Sequence, residues 1–164
     1  MPQGSPLNVH ESFFWTQIGV AILCSFMIGL ERQIRGKPIG IRTSTLICLG
    51  TLVFIDLSRG MNSGDPSRVL SQVITGIGFL GAGLIINREG NMFGLTSAAV
   101  VWILASIGCA IGFGHFQAAF VITLVALFIL VGITQLEIAF LALRKGVHRH
   151  HYPDDLSHRD HPKP

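Results

Sequence analysis

The stretch Val69–Ile86 carries no charged residue across eighteen positions, yet Arg68 stands just before it and Arg88 just after it. An uncharged run of that length reads as a helix that crosses a bilayer, because hydrocarbon about 30 Å thick takes ~20 residues at 1.5 Å each. Turned at about 100° per residue, its side chains separate into two faces. Val69, Leu70, Val73, Ile74, Ile77, Leu80 and Leu84 gather on one. Ser71, Gln72, Thr75, Gly76, Gly78, Phe79, Ala82 and Gly83 gather on the other, and only Gly81 and Ile86 break the division. The pattern predicts an aliphatic face turned to lipid and a small face packed against the rest of the protein, since close backbone approach holds helices together in a membrane. Gly76, Gly78 and Gly81 also match the G-x-G-x-x-G spacing of a dinucleotide-binding turn. That motif needs a preceding strand, a polar turn and a later acidic residue, none of which surrounds these glycines. Glycines in such a run also permit a broken helix whose freed carbonyls line an ion site; the continuity of the small face argues for packing.

The remainder of the chain repeats this chemistry. Of its 164 residues 49% are hydrophobic and only 13% charged, the composition of one integral membrane unit rather than a soluble domain. Cys24, Cys48 and Cys109 each lie inside an apolar segment, where a thiol packs as a small hydrophobe, so neither a disulfide nor a metal site is expected from them. The beginning of the chain has no basic region of the kind a cleavable signal peptide carries, and the first apolar run is expected to be retained.

Four further spans are predicted. The first, Phe14–Leu30, carries Ala21, Ser25 and Gly29 at intervals of four, a contact stripe of small residues. Arg32, Arg35, Lys37 and Arg42 follow it, the strongest positive cluster in the chain, which places that loop in the cytoplasm. The second span, Ile41–Leu57, has Arg42 at its inner mouth, either snorkelling or paired with Glu31, and Asp56 at its outer end. A turn-forming loop over residues 58–67 leads into the third. A short turn, Asn87–Asn91, leads out to the fourth, Gly94–Gly112, which has the same two-faced design and is expected to pack small face to small face with the third. The fifth, Phe116–Leu136, is almost wholly large and apolar with Gly132 its only glycine, and is expected at the periphery.

The expected fold is therefore an all-α, polytopic membrane bundle of five transmembrane helices, with the N-terminus outside and the C-terminus cytoplasmic. Residues 1–13 form a short outer tail, 14–143 the membrane domain, and 144–164 a basic, His-rich cytoplasmic tail. His148, His150, His151, His158 and His161 in that tail are metal-ligand types, but with nothing apolar around them to fix ligand geometry the tract reads as solvated.

An ordered set of residues resembles the MgtC/SapB family of bacterial inner-membrane proteins. It comprises Gly29, Glu31 and Arg32; Gly40, Arg42 and Thr43; Asp65, Arg68 and Gln72; the run from Gly76 through Gly78, Gly81, Ala82 and Gly83; then Gly94, Thr96, Ser97, Ala98, Ala99, Trp102 and Gly108. Ser97 stands where the family often has a threonine, which keeps the hydroxyl. The resemblance implies magnesium homeostasis or adaptation to ionic stress. It also implies contacts with other inner-membrane proteins, the proton-translocating ATP synthase among them. Family members of this kind commonly add a soluble ACT-like C-terminal domain, which the tail here is too short to supply, so roles that depend on that domain are not expected.

Glu31, Arg32, Arg42, Thr43, Asp65, Arg68, Gln72, Thr96 and Trp102 are the functional candidates carried over from this resemblance. Gly76, Gly78, Gly81, Ala82, Gly83, Ala98 and Gly108 are the expected helix-packing residues. No nucleophile and base stand at a recognisable spacing, so no enzymatic activity, cofactor or resident metal is expected, and no nucleic acid. The leading expectation is a protein that acts by binding membrane partners within the lipid bilayer, with homo-oligomers also expected from the small-residue faces. The alternative is a transporter or channel for magnesium or another cation. Glu31, Asp56, Asp65, Glu89 and Glu137 all sit near span ends rather than at a membrane centre, where an acid marking a cation path is usually found. For Glu31, Arg32 and Arg42 a plain clamp between the first two helices is the competing reading, and for Asp65 with Arg68 a helix cap.

Overall fold

The computed structural model describes residues 12–60, 65–88 and 91–139. Residues 1–11, the loop 61–64, Glu89 with Gly90, and everything beyond residue 139, including the His-rich tract, lie outside them. Five helices and one small hairpin follow in order: α1 (Ser12–Ile34), α2 (Ile41–Arg59), α3 (Pro66–Ala82), β1 (Ile86–Arg88), β2 (Asn91–Phe93), α4 (Leu95–Gly112) and α5 (Phe116–Ala139). Four of them, α1, α2, α4 and α5, are long and apolar enough to cross a membrane. At 17 residues α3 is about 25 Å long, short of the ~30 Å of a typical hydrocarbon core.

Local chemistry sets these boundaries. Gly36, at φ +62°, lets the chain turn back at the end of α1, and the Lys37 amide donates to the Arg32 carbonyl at 2.9 Å to close the helix end. Gly40 precedes α2 without a side chain to cap it, so Gln33 reaches across the turn and its Oε1 accepts from the Ile41 amide at 3.3 Å. Asp65 caps α3, accepting from the Ser67 amide at 2.9 Å, with Pro66 starting the helix. The third helix thus begins three residues before Val69 and ends at Ala82, four short of the expected Ile86. Ile86 instead opens an antiparallel pairing with Phe93, and the turn expected at Asn87–Asn91 belongs to a two-stranded ribbon. The fold is mostly helical rather than purely so.

At the centre stands α4. Its Val100, Val101, Leu104, Ile107 and Ile111 are buried, as are Ala98, Ala105, Gly108, Cys109 and Gly112 on its small-residue side. Its closest neighbour is α2: a Cβ placed on Gly108 would overlap Thr51 Oγ1 and the Cys48 carbonyl, and one on Gly112 would lie 2.8 Å from Ile55 Cβ. At the start of α2, Gly29 of α1 admits Ile41, whose Cα would sit 2.7 Å from an added Cβ. The Ala21, Ser25, Gly29 stripe is buried in that contact, as its spacing predicts. The orphan carbonyls at the end of α4 are met by two side chains: buried Gln17 Nε2 donates to Ile111 O at 3.2 Å, and Arg59 donates to Gly112 O at 3.0 Å. Most of α5 is exposed, a peripheral helix as its composition predicts.

The orientation of α3 reverses the expected one. Ile77 and Gly81 are buried, with Val73 and Leu84 packed against the core, while Ser71, Gln72, Thr75, Gly76, Phe79, Ala82 and Gly83 are exposed. The small side of α4 is occupied chiefly by α2, which leaves α3 only the rim around Trp102. Gly78 and Gly81 lie against that indole, an added Cβ on each falling 3.7 and 3.6 Å from it, and the one on Gly81 would also lie 3.7 Å from Ala98 O. A ring of that size is accommodated where α3 presents glycine beside aliphatic side chains. Gly81, the glycine that falls on the aliphatic side in projection, is the one buried there.

Candidate functional site

Two groups of the sequence candidates are separated by the length of the bundle. At the end where α1 closes and α4 begins, Glu31 and Arg32 sit one residue apart on the last turns of α1. Glu31 Oε1 lies 2.6 Å from Arg35 Nε, an ion pair within the helix. It is therefore Arg35, and not Arg42, that neutralises Glu31, because four residues on one helix face bring the two side chains together. Arg42 and Thr43 are exposed on the first turn of α2.

Arg32 points elsewhere. It is only 3% exposed, and its terminal amino group donates to Ser97 Oγ at 2.7 Å across to α4, while its Nε has no hydrogen-bond partner. The tie that Arg32 makes thus joins α1 to α4, where a clamp of Arg32 between α1 and α2 is the sequence reading; the α1–α2 hydrogen bond at this end is accepted by Gln33 instead. Ser97 is held in place because Gly94 precedes α4 at φ +89°, and a Cβ there would strike the Leu84 carbonyl. Around this contact opens a cleft of about 930 Å³, which Arg32, Arg35 and Lys37 line together with Thr96 and Ser97. Apolar walls come from Met92 and Phe93 of the ribbon and from Ile129 and Ile133 of α5.

The second group belongs to α3. Asp65 holds Ser67 through both carboxylate oxygens, and these hydrogen bonds, with Arg68 nearby, hold its carboxyl below the ordinary carboxylate range. Arg68 and Gln72 are exposed one and two turns further along. Ser71 and Thr75 return their hydroxyls to the carbonyls of Ser67 and Ser71, each at 3.0 Å, so their polarity is absorbed within the helix. Gln72 has no such local outlet. Its amide stands on the outward face with Gly76, Phe79 and Gly83, where Phe79 is 81% exposed and nothing lies within 4 Å of a Cβ on Gly76. Trp102, between the two groups, packs on Gly78 and Gly81 and is half-exposed. Among the described residues no group of three His, Cys, Asp or Glu is placed to hold a metal ion.

This order of motifs on this set of helices matches one family over residues 18–139. The chain belongs to the MgtC family. MgtC of Salmonella typhimurium is 41% identical over 107 residues, which cover 65% of this chain and 46% of that protein. MgtC of Brucella abortus is 38% identical over 140 residues, 83% of this chain and 58% of its own length. YhiD of Escherichia coli K12, named as a candidate magnesium transporter, is 39% identical over 140 residues, 78% of this chain and 62% of its own. The chain thus spans about half to three fifths of the length of these MgtC-family relatives. No solved structure matches it.

Sequence reasoning missed two residues to which the structure gives a part, Gln17 at the C-terminal end of α4 and Lys37 at the cleft. Gln17 is a lone amide in the apolar run of α1, a signal that it needs a buried acceptor, but the run cannot say which. Lys37 reads from sequence only as one charge in a topology signal, whereas here it lines the cleft.

Proposed function

We propose that this MgtC-family membrane protein serves magnesium homeostasis or adaptation to ionic stress without catalysing a reaction, by binding another inner-membrane protein through the outward face of α3. The observation that carries this reading is the row Gln72, Gly76, Phe79 and Gly83, which stands on one side of a helix whose other side is already packed. In hydrocarbon an unpaired amide is costly, and a helix laid against Gly76 supplies both a hydrogen-bond partner and close van der Waals contact. The names of the relatives, MgtC and a candidate magnesium transporter, support the physiological theme. The positive cluster from Arg32 to Arg42 supports a cytoplasmic position for that end of the bundle.

The name of YhiD also favours a second reading, magnesium transport. Against it, the described residues lining the cleft at the basic end include three cations and one carboxylate, Glu31, paired with Arg35, a poor mouth for a divalent cation. The deciting pair of measurements is growth under magnesium limitation with Gly76→Leu and magnesium flux into sealed proteoliposomes. Gly76→Leu is expected to leave the protein folded and to abolish its support of growth, with a photo-crosslinker at residue 76 capturing a different membrane protein in the same cells. Capture of a second copy alone would reassign the face to a homo-oligomer. Protein-dependent magnesium flux that survives Gly76→Leu would replace partner binding with transport.

A further inference from the structure

The cleft at the start of α4 is chemically unlike a cation site. Among the described residues that line it, three side chains, Arg32, Arg35 and Lys37, are cationic and one, Glu31, is acidic and ion-paired with Arg35. Into the same space faces the N-terminus of an eighteen-residue helix. The first amides of a helix have no intrahelical acceptor, and Gly94 offers no side chain to cap them, so these donors and the positive end of the helix dipole are available to an anion. A second observation is independent of the helix. Arg32 is buried, it reaches Ser97 in the first turn of α4, and its Nε is left without an acceptor. A buried guanidinium with an unused donor is costly unless an acceptor joins it, and guanidinium donors match the oxygens of a phosphate in a planar, bidentate manner.

We propose that this cleft binds a phosphate group, held by Arg32 and by the first turn of α4 through the Thr96 and Ser97 hydroxyls and backbone amides, with Lys37 at the rim. At about 930 Å³ the space far exceeds one phosphate, and its walls at Ile129, Ile133 and Phe93 are apolar. A phosphodiester carrying glycerol and acyl chains fills both parts; a free phosphate or soluble phosphate ester fills only the polar one. The bound group, a phosphoryl oxyanion, is common to both, and the inference does not depend on what α3 binds.

The test uses the full chain in a nonionic detergent. Inorganic phosphate is titrated by calorimetry, and retention of phosphatidylglycerol is followed by mass spectrometry of the intact protein released from nanodiscs containing phosphatidylglycerol and phosphatidylcholine. Phosphate binding without lipid retention identifies a soluble phosphate; selective retention of phosphatidylglycerol identifies the lipid. In either case Arg32→Gln is expected to weaken binding ~tenfold or more, as loss of a charge-assisted contact does, and added salt is expected to weaken it further. Because Arg32 is buried, Lys37→Gln and Thr96→Val, at two exposed positions, provide variants that keep the fold, and each is expected to weaken binding several-fold. The proposal is overturned if neither probe binds, if magnesium alone binds, or if binding is unchanged in both exposed variants.

Discussion

Helices α3 and α4 carry the same signature, small residues recurring through an apolar run, and use it in opposite ways. In α4, Gly108 and Gly112 are points where another backbone lies too close for any side chain: the Cys48 and Leu52 carbonyls and Ile55 of α2 occupy the space. In α3, a Cβ on Gly76 would have nothing within 4 Å, and one on Gly78 or Gly81 would meet Trp102, and at Gly81 also the Ala98 carbonyl, at ordinary contact distance. The small residues of α4 therefore build the protomer, while those of α3 that face outward do no packing within it. A small-residue stripe marks a place where helices can approach, and which stripe is filled from within depends on how many neighbours compete for it. Here α2 takes the side of α4 that α3 would otherwise fill.

This contrast is open to direct attack. The largest effect is expected from Gly108→Ala, with Gly112→Ala next. Each puts a Cβ into the α2 backbone or a β-branched side chain and is expected to cost ~1–3 kcal/mol or more as overpacking, read as a fall in melting temperature of the detergent-solubilised protein. If both variants melt like the parent, the tight α2–α4 contact is refuted. A smaller loss is expected for Ser97→Ala, which leaves a donor of buried Arg32 without its acceptor at a cost of ~1–3 kcal/mol. Thermal unfolding checks it, and an unchanged melting point would mean that the Arg32 to Ser97 tie contributes nothing.

On α3 the sign changes. Gly76→Leu meets open space and removes a helix-interior glycine, so stability is expected to stay level or to rise by up to ~1 kcal/mol. A destabilisation comparable to that of Gly108→Ala would erase the distinction between the two helices. The smallest effect is expected at the Asp65 cap. Its folded carboxyl is held below the ordinary range by Ser67 first and Arg68 second, so its contribution is complete above the unfolded carboxylate pKa and is lost as pH falls through the depressed folded value. Melting curves of Asp65→Asn and the parent are expected to differ at neutral pH and to converge in acid; divergence on acidification would contradict the cap.

Much of the bundle was legible in the order of residues. Apolar length predicts α1, α2, α4 and α5 to within a few residues, and the interval of four between Ala21, Ser25 and Gly29 marks the buried contact stripe of α1, though not the helix it meets. The cluster from Glu31 to Arg42 marks an important end of the molecule, yet its internal pairing was not legible. Glu31 lies within salt-bridge reach of several cations in sequence, and only the helical turn selects Arg35. Ser97 is as ordinary a serine as Ser106 until α1 delivers Arg32 to it. The apolar run overshoots the end of α3 because hydropathy does not distinguish Leu84 to Ile86 in a helix from the same residues entering a short ribbon.

The sequence by itself determined that this is a membrane protein of several apolar helices and that it belongs with MgtC-family proteins, since transfer of long uncharged segments into hydrocarbon and the order of motifs need no knowledge of neighbours. Tertiary structure alone decided which face of α3 turns inward and where Arg32 spends its donors. Projection onto one helix yields two faces of equal standing; which one is buried depends on the surfaces that the other helices leave free.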